Sequence, residues 1–483
     1  MGDFRVLYNQ DSSNLFYVTK ASLTPAHVDA MVDEVADGGG DTFLVNVNAQ
    51  KVNYPSRVWE NYWHDFRPDD RSYYGLADDM DVSGRRHLVS QMQILAQQCD
   101  YLERALGRCK ARGLKAGVSV RMNDMHDVPW PKSHLFSQFY RDHPEFYLPD
   151  IPIRAWASRG LNYAYRDVRD YFLLLIREVI EDYDLDVLEL DFLRFTAYFD
   201  RVNVAQHCET MTGFLKDVRK LIDGSGKSVE LLCRIAATPA GARGLGFDVR
   251  GWQGVVDGVV IGMFLNTGWE LPVDRYRELV GDEMGVYACS DYLAARWEGL
   301  PAEPLSTNGE LLRGFAAGYD ALGADGVEMF NFFCSREGAD PVDPVFDILG
   351  EMREKKFRGL RRHLLTAGIN HGESDLAVQV PVDVDAKHPR RFEMVLAVPE
   401  VDQNGVLVLI FDGEAKRDDL WVCVNDDYVG CAVDVVEGVK DVCQSYCAHF
   451  HLPNECVIPG RNRILIRNEG ESVTVLGLEV RVR

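Results

Sequence analysis

The chain has 483 residues, 46% of them hydrophobic and 26% charged, an ordinary globular composition that excludes disorder, fibres and disulfide mini-domains. Asp and Glu (75) outnumber Lys and Arg (52) for a formal net charge of −23 at pH 7, which would repel nucleic acid and anionic membrane surfaces. No run reaches the ~18 uninterrupted apolar residues of a membrane helix, and the start MGDFRVLYNQDSS lacks a basic region followed by an apolar one. The expectation is a soluble cytoplasmic protein, with a leader removed ahead of Met1-Gly2 as the alternative. The eleven cysteines, an odd number scattered through apparent helices and strands (Cys99, Cys109, Cys208, Cys233, Cys289), read as reduced thiols.

Short apolar runs alternate with amphipathic segments over the first ~360 residues, the mark of repeated strand-helix units. Strand one is Phe4–Gln10, followed by a helix that Thr24 caps, Pro25 opens and a glycine run ends. Strand two is Asp41–Asn48, and after a polar, aromatic loop a single long helix is expected over His87–Arg112. Strand three, Lys115–Asn123, precedes a second long loop, and a helix over Asp167–Tyr183 delivers strand four, Asp186–Arg194. Strands five to eight are Ser228–Ala236, Val256–Phe264, Gly285–Asp291 and Asp325–Phe333, with helices near Glu209–Ile222, Asp274–Val280 and Gly309–Leu322 between them. Eight such units close into a (β/α)₈ barrel rather than an open sheet. No glycine-rich loop follows strand one, so neither a dinucleotide fold nor a P-loop is expected. From about residue 365 short β runs take over, so the expected domains are a barrel over 1–364 and a β-sandwich over 365–483.

An active site on such a barrel sits at the carboxyl ends of the strands. The richest run is VLELDFLRF, where alternation puts Glu189, Asp191 and Leu193 into the barrel and Leu188, Leu190 and Phe192 under the helices. Paired carboxylates with Arg121 and Arg194 in reach suit acid and base duties. Asp191 is the first catalytic candidate, and Asp291, at the end of strand seven, is its preferred partner for glycosidic hydrolysis. Glu189 and Glu328 are the competitors, against a structural reading as ion pairs with arginine. The run RMNDMH supplies Arg121, Asn123 and His126 for hydroxyl or acidic groups, together with Arg194. Asn46, Asn48 and Asn331 would complete a polar wall. Tyr54, Trp59, Tyr62, Trp63, Trp130, Trp156 and Trp269 lie in loops and could stack on sugar rings or simply form loop cores. No standard metal motif is present, and the Cys443, Cys447, His449, His451, Cys456 spacing matches no zinc finger, so no metal or cofactor is expected.

Tyr163–Phe195, YAYRDVRDYFLLLIREVIEDYDLDVLELDFLRF, resembles the Tyr-to-Leu-Asp-Phe-x-Arg pattern of glycoside hydrolases related to the glycosyl-hydrolase-like family ten barrels. The likeness extends to RMNDMH, FDVRGW and GADGVEMFNFF, with Val187 where that family usually has glycine. The resemblance implies a carbohydrate-active barrel with a β-sandwich appendage. The expected function is a glycoside hydrolase acting on an oligo- or polysaccharide, with self-association left open. The alternatives are a non-catalytic carbohydrate-binding barrel and a metal-dependent enzyme using Asp124, His126 and Asp191.

Overall fold

The computed structural model describes residues 4–11, 13–69, 83–128, 133–149, 159–202, 204–263, 270–290, 305–337, 341–365, 379–397, 405–437 and 445–482. All eight expected strands form: β1 (Arg5–Gln10), β2 (Thr42–Asn46), β3 (Lys115–Arg121), β4 (Val187–Asp191), β5 (Glu230–Ala236), β6 (Gly258–Gly262), β7 (Gly285–Ser290) and β8 (Gly326–Phe330). Every neighbouring pair is parallel, and β8 returns to β1 to close the barrel.

Two periodicities divide the side chains. Leu188, Leu190 and Phe192 join the layer between strands and helices, whereas Val187 and Leu193 join Leu7, Leu44, Leu232 and Val260 in a separate apolar cluster inside the barrel. The interior is therefore layered. At its amino-terminal end Arg5 Nη1 donates to Glu230 Oε1 at 2.6 Å and to the Tyr287 hydroxyl at 2.9 Å. Gly285 makes room for that ring, since a Cβ there would stand 2.9 Å from Tyr287 Cε2. The apolar layer comes next, and toward the carboxyl ends polar side chains share the interior with Leu193, Cys289 and Phe330.

The helix over Pro25–Asp37 forms as the sequence dictates, with Thr24 and His27 capping each other's backbone and Gly38 as C-cap. The single helix expected over His87–Arg112 is instead two, Ser83–Ala96 and Tyr101–Ala111. Neither glycine nor proline marks the break. Asp100 makes it, its carboxylate accepting from Leu102 N at 2.8 Å and Glu103 N at 3.2 Å as an N-cap.

The second sheet system holds β9 (Leu360–Leu365), β10 (Val382–Val384), β11 (Arg390–Leu396), β12 (Gly405–Asp412), β13 (Leu420–Val424), β14 (Asp427–Cys431), β15 (Asp434–Glu437), β16 (Ser445–Leu452), β17 (Gly460–Asn468) and β18 (Val473–Val482). One sheet runs β10-β18-β12-β16-β15 with β9 also on β18, and the other runs β11-β17-β13-β14. Leu407, Phe411, Val422, Phe450, Ile466 and Leu478 fill the sandwich. The chain enters it at Leu360, just before residue 365. Buried Arg362 donates to Glu270 Oε1 at 2.8 Å, and Glu270 Oε2 accepts from Val395 N at 2.9 Å, which ties the sandwich to the barrel. Gly314 allows close approach there, because a Cβ would lie 2.2 Å from the Arg361 carbonyl oxygen.

Candidate active site

Register across the barrel assembles the site. Asp191, the last residue of β4, stands opposite Arg121 on β3 and Arg234 on β5. All three are at most 3% exposed. Asp191 Oδ1 accepts from Arg234 Nη1 at 2.9 Å and from the backbone N–H groups of Leu193 and Arg194 at 2.9 and 3.2 Å. Its Oδ2 is buried and has no hydrogen-bond partner among the described residues. One carboxylate oxygen is thus fixed by three donors while the other makes no hydrogen bond among the described residues.

Arg234 is fully buried. Its Nε lies 3.4 Å from Glu328 Oε1 and 3.4 Å from Cys289 Sγ, and its guanidinium sits 3.7 Å over the Phe330 ring. Burial alone would favour the neutral form, but Asp191, Cys289, Glu328 and Glu189 hold its pKa well above the ordinary arginine value.

Nearer the mouth, Arg121 pairs with Asp11 and, at 3.5 Å, with Asp124 Oδ2. Asp124 Oδ1 accepts from His126 Nδ1 at 2.6 Å, and Arg194 Nη2 reaches His126 Nε2 at 3.1 Å. The imidazole therefore carries its proton on Nδ1 and accepts on Nε2. Burial lowers the His126 pKa by more than Asp124 restores it, so the ring is neutral. Burial raises Asp124, but His126, Arg121 and Arg194 outweigh it and bring the carboxyl to about 2. Burial likewise raises Asp11, yet Arg121, Arg194 and Ser13 hold it well below the usual carboxylate range. Burial and the Arg121 charge lower Arg194 to about 10.

The expected site residues fall into three groups. Asp191, Arg121, His126 and Arg194 meet at the mouth. Glu189 and Glu328 point into the barrel as alternation requires, but both are 0% exposed and lie a layer below Asp191. The asparagines are engaged with backbone: Asn48 accepts from Arg121 N at 2.9 Å and donates to Arg121 O at 3.0 Å, Asn46 donates to Ser119 O at 3.1 Å, and Asn123 brackets Leu161. Asn48 therefore serves the site by fixing Arg121. Asn331 is buried in the left-handed region and opens a short turn after β8.

Several aromatics differ from open stacking platforms. Tyr54 is fully buried with its hydroxyl on Glu178 at 2.8 Å, and Trp59 stacks on Tyr171 with ring centroids 4.2 Å apart. Tyr62 is buried and Trp63 packs partly buried against the barrel core. Asp291, Trp130, Trp156 and Trp269 lie outside the described residues. Sequence reasoning missed how central Arg234 is, although the alternation of ELLCRIA places it inside the barrel beside Leu232. Among the described residues no group of three or more His, Cys, Asp or Glu side chains gathers to hold a metal ion. Asp124, His126 and Asp191 are each engaged with arginines instead.

No family model matches the chain, and no curated protein matches it. Solved structures do. A noncanonic maltogenic alpha-amylase, AmyB, from Thermotoga neapolitana is similar at 11% identity over 96% of this chain and 99% of that one, with a TM-score of 0.43. The alpha-galactosidase TtGalA from Thermus thermophilus, in complex with p-nitrophenyl alpha-D-galactopyranoside, is similar at 15% identity over 75% of this chain and 64% of that one, with a TM-score of 0.40. The GH36 alpha-galactosidase AgaA from Geobacillus stearothermophilus, in complex with stachyose, is similar at 12% identity over 100% of this chain and 55% of that one, with a TM-score of 0.40.

Proposed function

We propose that this chain is a glycoside hydrolase acting on an oligo- or polysaccharide, with Asp191 as the carboxyl group that acts on the anomeric carbon or its attacking water. The observation that carries the reading is Asp191 itself: three donors hold Oδ1 while Oδ2 is free of protein partners among the described residues. A carboxylate fixed in this way is pre-organised to stabilise positive charge developing on a sugar ring. Asp291, which directly follows β7 in the sequence, is proposed as the second carboxylate, the general acid.

Arg121 and Arg234 already face carboxylates at the mouth. That pairing favours a neutral, hydroxyl-rich sugar over an anionic one, because little uncompensated positive charge is left to attract an acid group. His126 Nε2 and the guanidinium edges of Arg121 and Arg194 are the groups proposed to bind hydroxyls.

The test is release of reducing sugar from a panel of neutral oligosaccharides and aryl glycosides, each run with and without a chelator. Turnover indifferent to the chelator is expected. Turnover that disappears with chelation and returns with a divalent ion would instead support the metal-dependent alternative.

A further inference from the structure

A second carboxyl pair lies beneath Asp191. Glu189 on β4 and Glu328 on β8 are both fully buried, and one amide nitrogen, Asn9 Nδ2, lies 2.8 Å from Glu189 Oε1 and 3.5 Å from Glu328 Oε1. Two ionised carboxylates this close in a buried site would repel one another, which favours a proton held between them. Their surroundings are unequal. Glu189 Oε1 accepts from neutral donors, Ser119 Oγ at 2.7 Å and Asn9 Nδ2 at 2.8 Å. Glu328 Oε1 faces a cation, Arg234 Nε at 3.4 Å, with Cys289 Sγ at 3.6 Å. Charge belongs beside the guanidinium, so the carboxylate is Glu328 and the acid is Glu189. Arg234 links this pair to the site above through its Nη1 on Asp191.

We propose that Glu189 and Glu328 hold a single proton between them and that this proton keeps Arg234 on Asp191. With one charge below, the guanidinium bridges Glu328 and Asp191. When the proton leaves, a second charge draws the guanidinium down and Asp191 loses its strongest donor. Glu189 is then a positioning residue that acts through Arg234.

The groups facing the dyad are Asn9 on β1, Ser119 on β3, Asp191 on β4, Arg234 on β5 and Cys289 on β7, with Cys233 on the outer face of β5. Burial raises both thiols well above the ordinary cysteine value, which leaves Asp191 and Arg234 as the charged neighbours. Burial also raises both glutamates, and the Glu328 charge raises Glu189 further.

The test is an infrared titration of the whole protein, following the C=O stretch of a protonated carboxylic acid. A band is expected at pH 7 and should be missing in E189Q, whose amide can accept from Asn9 and Ser119 and donate to Glu328 as the acid does. In D191N a neighbouring negative charge is gone, the dyad ionises more easily, and the midpoint of the band should fall by about one pH unit or more. This arm needs no substrate, so it stands apart from the glycosidase reading. A second arm rests on that reading: the alkaline limb of kcat/KM should follow the band's midpoint in the wild type and be lost in E189Q. No band at pH 7, a midpoint unmoved in D191N, or an alkaline limb unmoved in E189Q would each overturn the proposal. Should E189Q fail to fold, the D191N midpoint decides. A band that behaves as expected in a protein that hydrolyses no glycoside would retain the dyad and remove the glycosidase.

Discussion

Replacing Arg234 by Met removes a guanidinium that touches both Asp191 and Glu328. The side chain is 0% exposed, so no water takes its place easily. Breaking a buried ion pair by deleting one partner costs about 3–5 kcal/mol, because the remaining charge is stranded in low dielectric. At about 2 °C per kcal/mol for a chain of this size, the melting temperature should fall by roughly 6–10 °C. The pH dependence has a definite sign. Without the cation, the folded-state pKa of Glu328, already raised by burial, rises further above its unfolded value. Folded and unfolded states then differ little below the ordinary carboxyl range near 4, and the variant loses stability as pH rises through the new, higher value. Denaturant unfolding at pH 5 and at pH 8 reads this directly, with the deficit larger at pH 8. A deficit below about 1 kcal/mol, or one equal at both pH values, would refute the claim that Arg234 holds the site's charges together.

Three further outcomes follow from the same geometry. Asp124 is held at about 2, so the stability it contributes is complete above its unfolded value near 4 and lost as pH falls through about 2; Asp124→Asn should flatten acid unfolding over that window. The same substitution removes the carboxylate that partly restores the His126 pKa, so the imidazole should titrate lower still, as followed by its ring nitrogens in NMR. Glu270→Ala removes the carboxylate that pairs with buried Arg362 and that accepts from Val395 N. It should cost roughly 3 kcal/mol and split one calorimetric transition into two, barrel and sandwich; a single unshifted transition would contradict the role given to that contact.

How much of this was legible beforehand depends on how local each signal is. Alternation in VLELDFLRF is a property of one strand, and it correctly aimed Glu189 and Asp191 inward and Leu188, Leu190 and Phe192 outward. The partner of Asp191 was not local. Arg121 and Arg194 lie close in the reading of the loop ends, but the guanidinium bound to Asp191 belongs to Arg234, which the β4–β5 register sets opposite. Register is decided by the whole closed sheet. The break at Asp100 was missed because a capping carboxylate interrupts a helix without changing its hydrophobic period. Trp59 and Tyr54 carry the same sequence signal as open stacking residues, and only Tyr171 and Glu178, more than a hundred residues on, show them to be loop core. Asn46, Asn48 and Asn123 sit where substrate contacts were expected, but short amides beside a strand end reach backbone before they reach a ligand.

The most direct measurement is the turnover of Asp191→Asn against wild type on the best neutral oligosaccharide found, with the unfolding curve of each protein beside it. The amide keeps an acceptor for Leu193 N and Arg194 N, so the barrel should remain folded while turnover falls by about 10³-fold or more. A folded variant that retains turnover within tenfold of wild type would contradict the account.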